Sequence, residues 1–288
     1  MFTFAAWHGL AIASVIFSGL FSFVLKVGAE RAHSSSVLNA IAAVVSLVIT
    51  LAAGWWFDES VTLFVALLAL ANGALFIFGS LARSDALGAI DATLFFPIYK
   101  IVGPALVLIL GMVVFGERLT LLQSIGFTLT LAVPLLLLDH LEHGRQKDLK
   151  RGVRLAVIAA VCISAGQVFS KMVMETGAGP YLYSSVAYAM TFAGIGVPWV
   201  YRHGRESVRA SGWGDMLWLA VLAGTLQCLG FLTLLYAFKT GPIATTYAIN
   251  STYILIPIVL SIWYYGEHWN ARKVIAIALS IGAVVLLR

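Results

Sequence analysis

Charge is scarce in this chain. Asp, Glu, Lys and Arg together make up 11% of its 288 residues, against about 25% in a typical soluble domain. Cysteine is scarcer: Cys162 and Cys228 both sit inside apolar runs, so they offer neither a disulfide framework nor a paired metal spacing. The sequence also lacks a phosphate-cradling G-x-x-x-x-G-K-[ST] loop, a zinc-binding H-E-x-x-H, a G-x-S-x-G nucleophile turn and paired aspartates within an apolar run. These absences argue against ATP-driven pumping by this polypeptide and against an intramembrane enzyme. No cofactor is implied. His140 and His143 fall in a mixed-charge segment that reads as solvated rather than metal-binding. The net charge of +5 comes with no soluble domain that would carry a basic nucleic-acid patch.

Apolar length is what the chain has in abundance. Its residues are 61% hydrophobic and its mean hydropathy is +0.96. A bilayer core of roughly 30 Å needs about 20 apolar residues in a helix. Runs between charged or Gly/Pro breaks give ten expected spans: Phe4–Val27, Ser36–Phe57, Thr62–Ala82, Gly88–Phe115, Leu121–Leu138, Val153–Val173, Leu182–Tyr201, Leu217–Phe238, Ile243–Tyr265 and Trp269–Leu287. The runs are too long and too little alternating for barrel strands, whereas a helix satisfies its own backbone within hydrocarbon. The first run reads as a retained helix rather than a cleaved leader, because it is long and lacks a basic segment before it.

One long polar stretch, Asp139 to Arg154, divides the ten runs five and five. The expected domains are therefore residues 1–138 and 153–288, joined by a basic and polar linker at 139–152. The halves echo one another. G-E-R-L-T (Gly116–Thr120) follows the fourth run and G-E-H-W-N (Gly266–Asn270) the ninth, while Lys26 and Glu30 at the end of the first run match Lys171 and Glu175 at the end of the sixth. Five is odd, so two fused copies must be inverted in the bilayer, as is typical of secondary transporters. The expected fold class is thus an all-α polytopic membrane protein, ten transmembrane helices as two inverted five-helix repeats. Basic residues gather in the linker (Arg145, Lys147, Lys150, Arg151, Arg154) and near Arg31, Arg83, Arg202, Arg205, Arg209, Arg272 and Lys273. By the positive-inside rule this side faces the cytoplasm and both termini lie outside. Trp55, Trp56, Trp199, Tyr201, Trp213, Trp218, Trp263, Tyr264, Tyr265 and Trp269 sit near span ends, where an aromatic belt belongs.

Within this greasy background the stretch L-F-F-P-I-Y-K-I-V-G-P, Leu94–Pro104, stands out. It places Lys100 near the centre of a span. An ionised lysine there costs about 2.5–3.5 kcal/mol, so it should face protein or a wet cavity. Asp91 cannot neutralise it along the same helix, since nine residues make about 900° of rotation and about 13.5 Å of rise. Asp91 and Lys100 are both candidates for proton coupling. Pro97 and Pro104 free carbonyls upstream. Thr93, Phe96, Pro97, Lys100, Gly103 and Pro104 share a face, with Tyr99 beside Lys100. Counted back from the second G-E, Asn250 takes the place of Lys100. It lies in T-T-Y-A-I-N-S-T-Y (Thr245–Tyr253), where Thr246, Asn250 and Tyr253 share one face and Tyr247 and Asn250 another. Stripes Ser14, Ser18, Ser22, Lys26 and Ser164, Gln167, Lys171 read as helix-packing faces. Glu117 and Glu267 read as helix terminators near water.

At this point the chain resembles the drug/metabolite transporter superfamily, specifically proteins with two EamA domains. The resemblance rests on the five-plus-five duplication, on G-E closing the fourth helix of each half, on Lys26 and Lys171 ending the first helix of each repeat, and on F-P-I-Y-K-I-V-G-P, similar to Y-P-I-x-R-G-x-x-P in some branches. It departs from many members in its expected external termini and in lacking W-G-x-N in the first helix. The resemblance implies that helices three, four, eight and nine border a central cavity, which adds Asn72, Phe76, Gln227 and Phe231 as wall candidates. It implies a bacterial inner-membrane protein, surrounded by lipid, that moves a small-molecule substrate by alternating access, export favoured. A midplane cation among rings and amides suits an anionic or zwitterionic solute such as an amino acid or organic acid. A flippase for a phosphate-bearing or lipid-linked amphiphile is the alternative transport reading. A structural or sensory subunit is the alternative of another class.

Overall fold

The computed structural model describes residues 6–31, 33, 35–136, 148–198, 213–266 and 270–288, without the side chains of residues 35, 36, 92, 93 and 213. Outside the described residues lie the linker's His140, His143, Arg145 and Lys147. So do Trp199, Tyr201, Arg202, Arg205, Arg209, Glu267, Trp269 and the side chains of Thr93 and Trp213.

Among the described residues the chain is helical and contains no strand. The helices are α1 (Ala6–Glu30), α2 (Ser35–Trp56), α3 (Leu63–Ala89), α4 (Ala92–Phe115), α5 (Leu121–Leu136), α6 (Leu149–Glu175), α7 (Pro180–Thr191), α8 (Trp213–Thr240), α9 (Ile243–Ser251), α10 (Leu255–Tyr265) and α11 (Ala271–Leu286). A wide turn, Phe192–Gly196, extends α7, and a tight one, Thr252–Ile254, joins α9 to α10. Among the described residues seven segments are long and apolar enough to cross a membrane, counting Ile243–Tyr265 as one. Helices α5 and α11 have 16 residues each and α7 has 12.

Local chemistry sets the helix ends. Thr62 accepts from Val65 N–H at the start of α3, Asp148 from Arg151 N–H at the start of α6, and Asn270 from Arg272 N–H at the start of α11; each satisfies a donor that the first turn leaves free. The glycines of both G-E pairs are left-handed, Gly116 at φ 65° and Gly266 at φ 67°. They close α4 and α10, a conformation that a Cβ would penalise.

Three of the boundary differences from the sequence reading have local causes. Helix α3 runs on to Ala89, through Arg83 and Asp85, because Gly88 alone does not stop a helix and the break waits for Asp91 at the head of α4. Helix α6 starts at Leu149, inside the expected linker, because Asp148 caps it. The expected continuous span Ile243–Tyr265 is interrupted at Thr252–Ile254, where Pro257 removes the donor to the Tyr253 carbonyl.

Burial is distributed as a bilayer demands. Large apolar side chains face outward, among them Trp55 at 82%, Trp56 at 77% and Trp263 at 81% exposure, all near helix ends. Buried positions include Ser14, Ser164, Ser170, Thr245 and Thr246. Hydrocarbon replaces water outside, so packing inside can use small polar groups that bond across helices. The protein is an integral, all-helical, polytopic membrane protein.

Helix packing pairs the two halves. Helix α1 lies along α8 and α3 along α6; α2 packs on α8 and α3 on α7; α1 meets α9 and α4 meets α6. Three further pairs in contact are α2 with α7, α4 with α9 and α5 with α11.

Candidate functional site

Helix α4 carries Lys100 inward. The residue is 9% exposed, and its Nζ stands 3.9 Å from the centre of the Tyr253 ring on the turn joining α9 to α10. A desolvated cation over an aromatic face is held by the ring quadrupole, worth about 2 kcal/mol. Among the described residues no carboxylate pairs with it. Pro104, one turn further along α4, lacks the N–H that would bond the Lys100 carbonyl.

Beside Lys100 lies a cavity of about 250 Å³. From the first half its walls include Asn72 and Phe76 of α3 and Tyr99, Lys100 and Pro104 of α4. From the second half come Gln227 and Phe231 of α8, Tyr247 and Asn250 of α9, and Tyr253. Several of these side chains also tie helices together. Asn72 donates to the Tyr183 hydroxyl at 2.7 Å and to Ser170 at 3.4 Å, joining α3 to α7 and α6. Its Oδ1 lies where a Cβ on Gly166 would stand, 2.3 Å away, so only glycine lets α6 come this close. The Ser14 hydroxyl meets the Asn250 side-chain oxygen at 3.0 Å, linking α1 to α9. Tyr99 stacks on Phe95, and Tyr188 meets Phe231 edge to face.

Other candidates fall elsewhere. Phe96 turns from the cavity, its ring against Phe95 and 5.7 Å from the Arg83 guanidinium. Thr246 is fully buried and its hydroxyl has no partner among the described residues; it shares the fold's interior, not the cavity wall. Asp91 occupies the cap position of α4 without a side-chain capping bond, also apart from the wall. The side chain of Thr93 lies outside the described residues.

Sequence reasoning passed over part of the wall. Ser18 and Ser22 of α1 and Gln167 of α6 line it, although their stripes read as packing faces. Tyr188 and Thr191 of α7 line it as well; their three-residue spacing was the available signal. Glu117 does more than end a helix. Its carboxylate accepts from Ile243 N–H at 2.5 Å and Ala244 N–H at 3.0 Å, and so caps α9 from the other half. Lys171 does the complementary job, donating to the carbonyls of Phe238 at 2.7 Å and Gly241 at 3.0 Å. Together they hold the short turn between α8 and α9, and with it the cavity residues on both helices.

The model of the EamA-like transporter family matches residues 150–288. This segment, just under half of the chain, is similar to EamA domains. The family is one of membrane transporters, and the segment includes the cavity residues from Gln167 to Tyr253. No curated protein matches the chain. A solved chain described as "Crystal structure of protein" is 18% identical, with a TM-score of 0.80 over 99% of this chain and 98% of its own. At that identity the likeness shows a shared fold only, extending beyond that segment over nearly the whole chain.

Proposed function

We propose that this protein is a secondary transporter for a small anionic or zwitterionic metabolite, such as an amino acid or organic acid, working by alternating access, with export favoured over import. One observation carries the reading: an ammonium buried midway along a membrane helix borders a cavity built by both halves of the chain. A lysine there is costly unless something polar arrives to meet it. A small cavity favours a small solute over a lipid-linked amphiphile, since about 250 Å³ lies just below the roughly 300–1,000 Å³ of drug-sized pockets.

The architecture in this reading is two inverted five-helix copies, ten spans in all, within a bacterial inner membrane and with both termini outside. Packing supports it. Exchanging the halves turns the α1–α8 contact into α6–α3 and the α4–α6 contact into α9–α1, and both members of each pair occur. The two left-handed glycines ahead of Glu117 and Glu267 occupy matching places. Asp91 has no position on the cavity wall, so ion coupling through it has less support than solute binding at Lys100.

Purified protein in liposomes, tested for counterflow against a panel of amino and organic acids, checks the proposal. Transport of at least one such solute, abolished by Lys100→Met, is the expected result. A panel in which nothing moves, or activity unchanged in the variant, refutes it.

A further inference from the structure

The charge balance of the cavity narrows the substrate further, given the transporter reading above. Lys100 supplies its only formal charge among the described residues. The remaining polar wall consists of tyrosine and serine or threonine hydroxyls and of amides, and no carboxylate lines it. Gln167 and Gln227 line the cavity, and among the described residues their side-chain carbonyl oxygens are buried without a partner. Each also carries an amide NH2 that can donate. A second cation, Arg83, stands against Phe96, one helical turn from Lys100 on α4. The rest of the wall is apolar: Phe21, Phe76, Ile163, Phe231 and Leu234.

We infer that the cavity selects a monoanionic organic acid with an apolar body and discriminates against the zwitterion of the same skeleton, with Gln167 and Gln227 as specificity-determining residues. The carboxylate meets the Lys100 ammonium and the amide donors, and the hydrocarbon body lies on the rings. An α-amino group would have no carboxylate to receive it. With its carboxylate on Lys100, that ammonium would stand roughly 6 Å from Nζ, where two unit charges at an effective dielectric near 20 repel by a factor on the order of 100 in affinity. Removing the ammonium from water without an anionic partner adds to the penalty. The amide and hydroxyl oxygens of the wall carry no formal negative charge, so they offset this cost less than a carboxylate would.

The test compares matched pairs on the purified full-length protein: 4-methylpentanoate against leucine, and 3-phenylpropanoate against phenylalanine, at pH 7.5. Binding in detergent is the readout, because protonated forms of such acids cross bilayers unaided. The des-amino acid of each pair should bind at least tenfold more tightly than the amino acid. Gln227→Glu places a carboxylate in the wall and should move that ratio toward the zwitterion by tenfold or more; Gln167→Glu provides the same test should the first variant fail to yield folded protein. Equal or tighter binding of the amino acids by the wild type overturns the inference and leaves the transporter reading intact. A ratio that neither glutamate variant moves removes the two glutamines from the specificity set. If no member of either pair binds and the liposome panel also stays silent, both readings fall together.

Discussion

Replacing Lys100 with methionine should move stability and ligand affinity in opposite directions. Methionine retains most of the side-chain length and removes the charge. Held near the middle of a membrane helix, the ammonium costs about 2.5–3.5 kcal/mol on insertion scales. Its position 3.9 Å from the Tyr253 ring centre returns about 2 kcal/mol. The substitution should therefore leave the empty protein as stable as the wild type or about 1 kcal/mol more so, a rise of no more than about 4 °C in Tm. Affinity should fall. Deleting one member of a buried charge pair costs about 2–5 kcal/mol, which is a loss of roughly 30-fold to several thousandfold in Kd. Lys100→Arg, which keeps the charge, should lie between. Thermal unfolding of ligand-free protein in detergent and equilibrium binding of an organic acid measure the two quantities on the same preparation. A Tm several degrees lower with affinity unchanged would mean that Lys100 is there for the fold, and the reasoning from cavity to substrate would fail.

Three further outcomes follow from contacts away from the lysine. Glu117→Ala leaves the Ile243 and Ala244 N–H groups without their acceptor, so about 1–3 kcal/mol of stability should be lost, read as a lower thermal midpoint; an unchanged midpoint would deny the carboxylate its capping role. Gly166→Ala puts a Cβ 2.3 Å from Asn72 Oδ1 and should cost about 1–3 kcal/mol, whereas in an Asn72→Ala background the same change should cost far less; equal penalties in both backgrounds would refute the contact. A reporter active only outside the cytoplasm, fused after Arg288, should be active, and silence there would reverse the proposed sidedness.

The legible part of this molecule is the part with local causes. Membrane length shows in uninterrupted apolar runs, and the end of α4 shows in Gly116, since a left-handed residue is a property of one position. Lys100 announces itself because a charge in hydrocarbon is anomalous whatever surrounds it. Long-range partners are another matter. Nothing near Glu117 says that its carboxylate will bind N–H groups 126 and 127 residues later, and nothing near Lys171 points to the Phe238 carbonyl. Face assignment by periodicity is also coarse. Thr246 and Asn250 lie one turn apart within α9, yet Asn250 lines the cavity together with Tyr253 while Thr246 is buried in packing. Pro257 was the clue to the break at Thr252–Ile254, four residues beyond the carbonyl it frees. The serines of α1 show why small polar stripes resist a single reading: Ser14 bonds across to Asn250 while Ser18 and Ser22, one and two turns on, line the cavity. In a bilayer the groups that glue helices and the groups that receive a solute come from the same short list of residue types, because both must be polar, compact and turned away from lipid. Only the position of the void separates them, and that is set by all the helices at once.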